Sequence, residues 1–207
     1  MLGGELTPPW LLEAYCRGIF PWPIVAGDEE ILAWFSPNPR TVLELDGLHV
    51  SRRLKRRMRS GCWRITVDRA FPQVIAACAA PRSPDTGSWI TREMEAAYTR
   101  LHELGWAHSV EIWGGSQLVG GLYGVAIGGF FAGESMFHRQ RDASKAALVA
   151  LVERLQQRGF ALLDVQQATP HLVRMGATEI ARPQFLRRLR EALELPVCWA
   201  DVRPVSG

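Results

Sequence analysis

Apolar residues recur at two periods along this chain, and the change from one to the other marks out its elements. From Asp142 to Arg158 the positions Ala147, Leu148, Leu151, Val152 and Leu155 form one face at helical spacing, with Asp142 placed to cap the helix and Gly159 to end it. Three β-like runs precede it, Ala107–Trp113, Gln117–Ile127 and Phe130–Met136, and the junctions Gly114-Gly115-Ser116 and Gly128-Gly129 read as hairpin turns. Leu162–Gln166 follows as a buried strand, then short helices near Thr169–Met175 and Pro183–Leu193.

Upstream, Thr7 and Pro8 open a helix to about Arg17, closed by Gly18. Residues 19–40 carry prolines at 21, 23, 37 and 39 among several aromatics, which breaks regular structure and sets a boundary. A strand near Thr41–Leu45, a helix from Ser51 to about Arg59, a strand near Trp63–Val67 and a helix capped by Asp68 to about Ala79 come next. The loop Pro81–Ser88 leads to a helix from Thr91 to Leu104. Helices and strands, a meander, then β-α-β and a terminal helix predict an α+β fold with a mixed, largely antiparallel sheet rather than a Rossmann alternation. The expected division is a small N-terminal lobe, residues 1–38, and a main domain, residues 39–207.

At 207 residues, 47% apolar and 22% charged, the chain has ample material for a core, and disorder is not expected. No apolar stretch reaches the roughly 20 residues of a membrane helix, and the start lacks a basic and apolar signal segment, so a soluble, cytoplasmic protein is expected. Cys16, Cys62, Cys78 and Cys198 are far apart, and the five histidines are dispersed; neither a disulfide framework nor a metal site is expected.

Charge changes the picture more than composition does. The net charge is +3, yet Arg52, Arg53, Lys55, Arg56, Arg57, Arg59, Arg64 and Arg69, set against Asp68 alone, make residues 51–69 a +7 segment on a −4 remainder. That asymmetry suits a polyanion at one place, although a charged helix face in solvent would look the same.

Three further features carry candidate chemistry. Glu134 lies in Gly133-Glu134-Ser135-Met136-Phe137 among apolar neighbours, where an acid is poorly solvated unless it meets a donor or simply sits at a rim. Asp164 and Gln166 fall on one face of an apolar strand, either as a structural network or as groups that orient an amine. Trp22, Trp34, Phe35 and Trp89 lie outside the regular elements predicted above, where they stack on nucleobases or pack the lobes together. No phosphate loop, G-x-S-x-G elbow or H-E-x-x-H motif is present, and the segment 137–142 lacks the glycine-rich turn that holds the pyrophosphate of acetyl-CoA.

The motifs Phe20-Pro21-Trp22, Trp34-Phe35-Ser36-Pro37-Asn38-Pro39-Arg40, Trp89-Ile90-Thr91, Ala107-His108-Ser109-Val110-Glu111, Leu118 to Gly124, Gly133 to Phe137, Asp142-Ala143-Ser144-Lys145, Leu163-Asp164-Val165-Gln166, Thr169-Pro170-His171-Leu172 and Gly176 to Ile180 resemble, in order, the leucyl/phenylalanyl-tRNA–protein transferase family. The resemblance covers about residues 3–190. It implies a GNAT-like C-terminal domain and transfer of leucine or phenylalanine, sometimes methionine, from aminoacyl-tRNA to the α-amino group of a protein beginning with Arg or Lys. The product would be marked for N-end-rule degradation, and no cofactor and no membrane partner is implied. It also implies that Tyr15, Trp22, Trp89 and Tyr98 surround the aminoacyl-adenosine, that Asp164 and Gln166 orient the attacking amine, and that Glu134 lies beside the amino-acid pocket. Family members carry some tens of residues ahead of the Gly3-Gly4-Glu5-Leu6 stretch and an Asp where Asn38 stands, so a reduced N-terminal lobe and an uncharged turn are expected.

From these residues follow specific expectations. Gln166 accepts a hydrogen bond from the incoming amine, Asp164 orients Gln166 and stabilises positive charge, and Glu134 contacts the aminoacyl moiety or the acceptor's basic end. Leu122, Phe131, Met136, Leu148, Leu151, Leu155 and Leu163 form either the pocket for the transferred side chain or plain core. Arg52, Arg53, Lys55, Arg56 and Arg59 contact tRNA phosphates without reading sequence. An acetyl-CoA-dependent acetyltransferase and a non-catalytic RNA-end-binding module are the alternatives.

Overall fold

The computed structural model describes residues 2–26, 29–81 and 88–200. In chain order the elements are α1 (Pro8–Cys16), β1 (Phe20–Ala26), β2 (Glu29–Phe35), β3 (Arg40–Leu43), α2 (Arg52–Arg59), β4 (Arg64–Val67), α3 (Phe71–Ala79), α4 (Arg92–Glu103), β5 (Ala107–Gly114), β6 (Gln117–Ile127), β7 (Phe130–His138), α5 (Ala143–Arg158), β8 (Leu162–Gln166), α6 (Pro170–Arg174), β9 (Thr178–Ile180) and α7 (Arg182–Leu193). A seven-stranded sheet runs β4-β5-β6-β7-β8-β3-β9, antiparallel except for β7 beside β8. The predicted α+β class holds, and the antiparallel meander followed by a crossover helix and a parallel strand is the arrangement expected of a GNAT-like domain.

Two apolar clusters cover the sheet. One joins α1, α3, α4 and α7 to one face through Tyr15, Phe71, Met94, Tyr98, Tyr123, Phe130 and Phe185. The other packs α5, with Leu54 of α2 and Leu172 of α6, on the opposite face. Residues 118–126 of β6 are buried throughout, which explains a strand that is apolar on both sides. Gly124 keeps that strand close to its neighbour, because a Cβ there would collide with the Ala132 carbonyl and the Phe131 ring.

The structure corrects several expectations. The proline-rich segment forms a regular hairpin, β1 with β2, where irregular chain was predicted. Pro23 pairs with Leu32, whose carbonyl accepts from Gly3 N at 2.8 Å and so points away from β1. Pro21 and Pro23 are two apart, so both missing N–H groups face away from the partner strand, where a ribbon tolerates them. The aromatics Trp22, Trp34 and Phe35 therefore stand on strands.

Thr7, Asp68 and Asp142 stand where the sequence predicts caps, yet none makes a side-chain cap bond. Asp68 instead accepts from Ser109 N (2.8 Å) and Trp199 Nε1 (2.7 Å) and bonds His108 Nδ1 (2.9 Å). Asp142, in the left-handed region at φ 67°, accepts from Lys145 Nζ at 2.9 Å. Ser51, Thr91 and Thr169 do cap α2, α4 and α6. Most of the loop Pro81–Ser88, residues 82–87, lies outside the described residues.

Candidate active site

The parallel pairing of β7 with β8 is short, covering Phe130–Ala132 against Leu162–Asp164. Beyond it the strands part. β7 stays with β6 and carries a bulge at Glu134, since Gly124 pairs with Gly133 while Tyr123 pairs with Ser135. β8 ends in Gln166, a non-glycine residue at φ 57°. The gap between the strands is bridged by side chains: Gln166 Nε2 donates to Glu134 Oε1 at 3.2 Å, and Tyr98 Oη donates to Glu134 Oε2 at 3.0 Å. Tyr98 is in turn hydrogen-bonded to Tyr15 of α1. Gln166, Glu134, Tyr98 and Tyr15 thus form one connected chain from four elements.

Burial pushes the Glu134 carboxyl up to about 7; the Tyr15 and Tyr98 hydroxyls and the Arg40 charge pull it down, and the charge of Asp164 adds to the rise. Burial, followed by the nearby Glu134 charge, likewise raises the phenols of Tyr15, Tyr98 and Tyr123 well above their ordinary value. The site therefore concentrates uncharged hydroxyls around one acid that changes charge near neutrality. Tyr123 Oη, on β6, is buried without a hydrogen-bond partner among the described residues.

Asp164 lies on the same face as Gln166, as alternation predicted, but its partner is different. Arg40 Nε donates to Oδ1 at 2.8 Å and Nη2 to Oδ2 at 2.6 Å, and the pair is fully buried. Asp164 Oδ1 also accepts from Gln166 N at 3.0 Å. Asp164 thus orients the Gln166 backbone, whereas Glu134 holds its side-chain amide. Arg40 is the member that sequence reasoning missed. Its signal was available, since it closes the Ser36-Pro37-Asn38-Pro39-Arg40 motif. The rest of that motif anchors the start of α7: Asn38 Oδ1 accepts from Arg182 N at 3.0 Å and Ser36 O from Arg182 Nη1 at 2.9 Å.

Trp22 and Trp89 are brought together, half-buried and stacked on each other with centroids 4.5 Å apart and planes 9° apart. They form a two-ring platform against the same apolar cluster that contains Tyr15 and Tyr98. Six of the seven expected pocket residues, Leu122, Phe131, Leu148, Leu151, Leu155 and Leu163, are at most 3% exposed and pack on the α5 side of the sheet; Met136 is half-buried at the edge of that cluster. Leu163 reaches toward the gap, with Cδ1 4.0 Å from where a Cβ of Gly133 would stand.

Arg52, Arg53, Lys55, Arg56 and Arg59 are all exposed on α2, on the α5 side and away from the Glu134 network. Arg52, Lys55, Arg56, Arg59 and Ser60 line an open surface cavity of about 520 Å³. Arg57 is used differently: it lies over the Trp63 ring at 4.3 Å and donates to Arg141 O at 2.8 Å.

The histidines are less dispersed in space than in sequence. Asp68, His102 and His108 bring ligand atoms within 4.8 Å of one another. Hydrogen bonds within the protein occupy this group, with His108 also reaching Gly105 O and His102 reaching Ala107 O. Glu111, in the same motif as His108, is buried and accepts from Thr66, Ser109 and the backbone of Arg69 and Ala70, so it secures the start of α3.

Comparison with known proteins finds relatives over most of the chain. Residues 42–190 match the family model described as leucyl/phenylalanyl-tRNA protein transferase, and residues 4–38 match that family's N-terminal domain. Leucyl/phenylalanyl-tRNA–protein transferases from Stutzerimonas stutzeri and Nitratidesulfovibrio vulgaris are 55% and 53% identical, each over 94% of this chain and 84% and 82% of their own lengths. That of Aromatoleum aromaticum is 55% identical over 99% of this chain and 82% of its own. Among solved structures, L-PGS from Bacillus licheniformis is similar at 12% identity and a TM-score of 0.46, over 78% of this chain and 52% of its own.

Proposed function

Because this chain belongs to the leucyl/phenylalanyl-tRNA–protein transferase family, and is an aminoacyltransferase working between tRNA and protein, we propose that it moves leucine or phenylalanine, and sometimes methionine, to the α-amino group of proteins beginning with Arg or Lys. The product would enter N-end-rule degradation in the cytoplasm. The observation that carries the reading is the Gln166–Glu134–Tyr98 chain across the gap between β7 and β8.

An aminoacyl ester is already activated, so the reaction needs alignment and the handling of one proton. The amine nitrogen attacks the ester carbonyl, the new amide bond forms, the bond to the ribose oxygen breaks, and that oxygen leaves as a hydroxyl with the proton lost by the amine. Alignment alone contributes several kcal/mol. Gln166 supports it directly: its Nε2 is committed to Glu134, and no hydrogen bond from another described residue takes its amide oxygen, which accepts from the incoming amine. Glu134 faces the acceptor's cationic end or the aminoacyl group. The adenine of the tRNA end stacks on the Trp22–Trp89 platform, beside Tyr15 and Tyr98. In this reading residues 1–38 are a small N-terminal lobe that packs through α1 on the main domain and helps to enclose the tRNA end.

The transferred side chain enters the apolar cluster on the α5 side of the gap, where Leu163, Leu122, Phe131, Met136 and the α5 leucines 148, 151 and 155 receive it. A β-branched side chain crowds the mouth, so Leu-tRNA should be preferred to Ile-tRNA. The α2 cations hold the acceptor stem by its phosphates. The test is transfer from charged Leu-tRNA to an Arg-initiated peptide by Gln166→Ala. Turnover should fall at least tenfold with tRNA affinity within about twofold of wild type; equal losses in both would remove Gln166 from the chemistry.

A further inference from the structure

Asp164 is an acid with no freedom. Both its oxygens are taken by the fork of Arg40, Oδ1 also receives the Gln166 N–H, and neither side chain is more than 1% exposed. A carboxylate so committed is poorly placed to take a proton or to meet a second cation. Its remaining use is geometric: it holds the backbone at Gln166 in the left-handed region, with Gln167 N bonded back to Val165 O at 2.7 Å. That turn aims the Gln166 side chain at Glu134.

What fixes Asp164 is Arg40, and Arg40 is itself fixed from three directions. Its guanidinium lies between the rings of Phe20 on β1 and Phe185 on α7, 4.8 and 4.5 Å from their centroids, and Nη1 donates to Gly18 O at 3.0 Å. A planar fork suits this slot, since it stacks on rings through its faces while its edge pairs with two oxygens. The hairpin β1–β2, the last helix and the site strand therefore meet at one side chain.

Building on the transferase reading, we propose that Arg40 is a positioning residue of the transfer site, acting through Asp164 to set the turn at Gln166. It touches no substrate. Its effect is on turnover, because the Gln166 amide is aligned only while the Arg40–Asp164 fork is intact.

The test uses Arg40→Lys, which keeps the charge and loses the fork, together with Arg40→Met, Asp164→Asn and the double variant Arg40→Met/Asp164→Asn, which removes both charges at once. Turnover and Leu-tRNA affinity are measured for each, and the side-chain amide resonances of Gln166 are followed by NMR. In Arg40→Lys, turnover should drop at least tenfold and affinity should stay within twofold. The Gln166 resonances should move while amides in α5 stay in place. The double variant should lose no more turnover than Asp164→Asn alone, as expected when Arg40 acts on turnover only through Asp164. A folded Arg40→Lys with wild-type turnover and unmoved Gln166 resonances would overturn the proposal, and so would multiplicative losses in the double variant. If wild-type protein transfers nothing from Leu-tRNA, the transferase reading fails instead, and the Gln166 resonances still report whether Arg40 sets the turn.

Discussion

Glu134 is held among three buried tyrosines, and its ionisation is opposed by burial more than it is helped by their hydroxyls. Its acidity shifts from an ordinary 4.5 to about 7. The folded state therefore binds a proton between those limits that the unfolded state has released, and stability falls as pH rises through that window. A shift of that size corresponds to up to about 3 kcal/mol. Glu134→Gln should match wild type in urea denaturation near pH 4 and exceed it near pH 8; identical curves at pH 8 would show that the carboxylate is compensated in the fold. At this scale the sequence marked Glu134, Asp164 and Gln166 as polar residues in apolar surroundings. It did not show who pairs with whom. Arg40 is 124 positions from Asp164 and Glu134 is 32 from Gln166, and no local spacing links such partners.

The elements that positioned these residues were legible where the period was long and unbroken. β5, β6, β7, α5 and β8 stand close to where alternation and helical spacing placed them. The hairpin β1–β2 was not legible, because prolines signal a break unless the unpaired side of the ribbon is known. The bulge at Glu134 was equally hidden, since it exists only relative to the register of β6. Gly124 and Gly133 are paired across this bulge and should respond differently to a methyl group. Gly124→Ala drives Cβ into the Ala132 carbonyl and the Phe131 ring and should lower stability by more than about 2 kcal/mol. Among the described residues, a Cβ on Gly133 meets nothing closer than Asp164 O at 3.6 Å, so Gly133→Ala should stay within about 0.5 kcal/mol of wild type. Urea midpoints compare the two directly, and equal midpoints would contradict the packing described at β6.

At the scale of the whole molecule, the densest run of cations and the acid of the site lie on opposite faces of the sheet. The exposed cations of α2 lie on the α5 side of the sheet, and the Glu134 network lies on the side of α1 and α4. A tRNA that reaches both must wrap the edge between them, with phosphate contacts at one end and its aminoacyl ester at the other. Binding should weaken steeply with salt, and the triple substitution Lys55→Gln/Arg56→Gln/Arg59→Gln should reduce the log–log salt slope by about 2 to 3. Turnover at saturating tRNA should change little, because these side chains do not reach the network. An unchanged slope would remove α2 from the tRNA interface.

The sequence by itself determined the α+β order of elements, the basic helix and the family to which the chain belongs, because period, charge and ordered motifs are local properties that survive without coordinates. Only the tertiary structure decided that β7 and β8 part at Glu134, that Asp164 is bound to Arg40, and that Trp22 stacks on Trp89. Those contacts join residues far apart in the chain, and their geometry follows from strand register and close packing, which pairwise spacing does not encode.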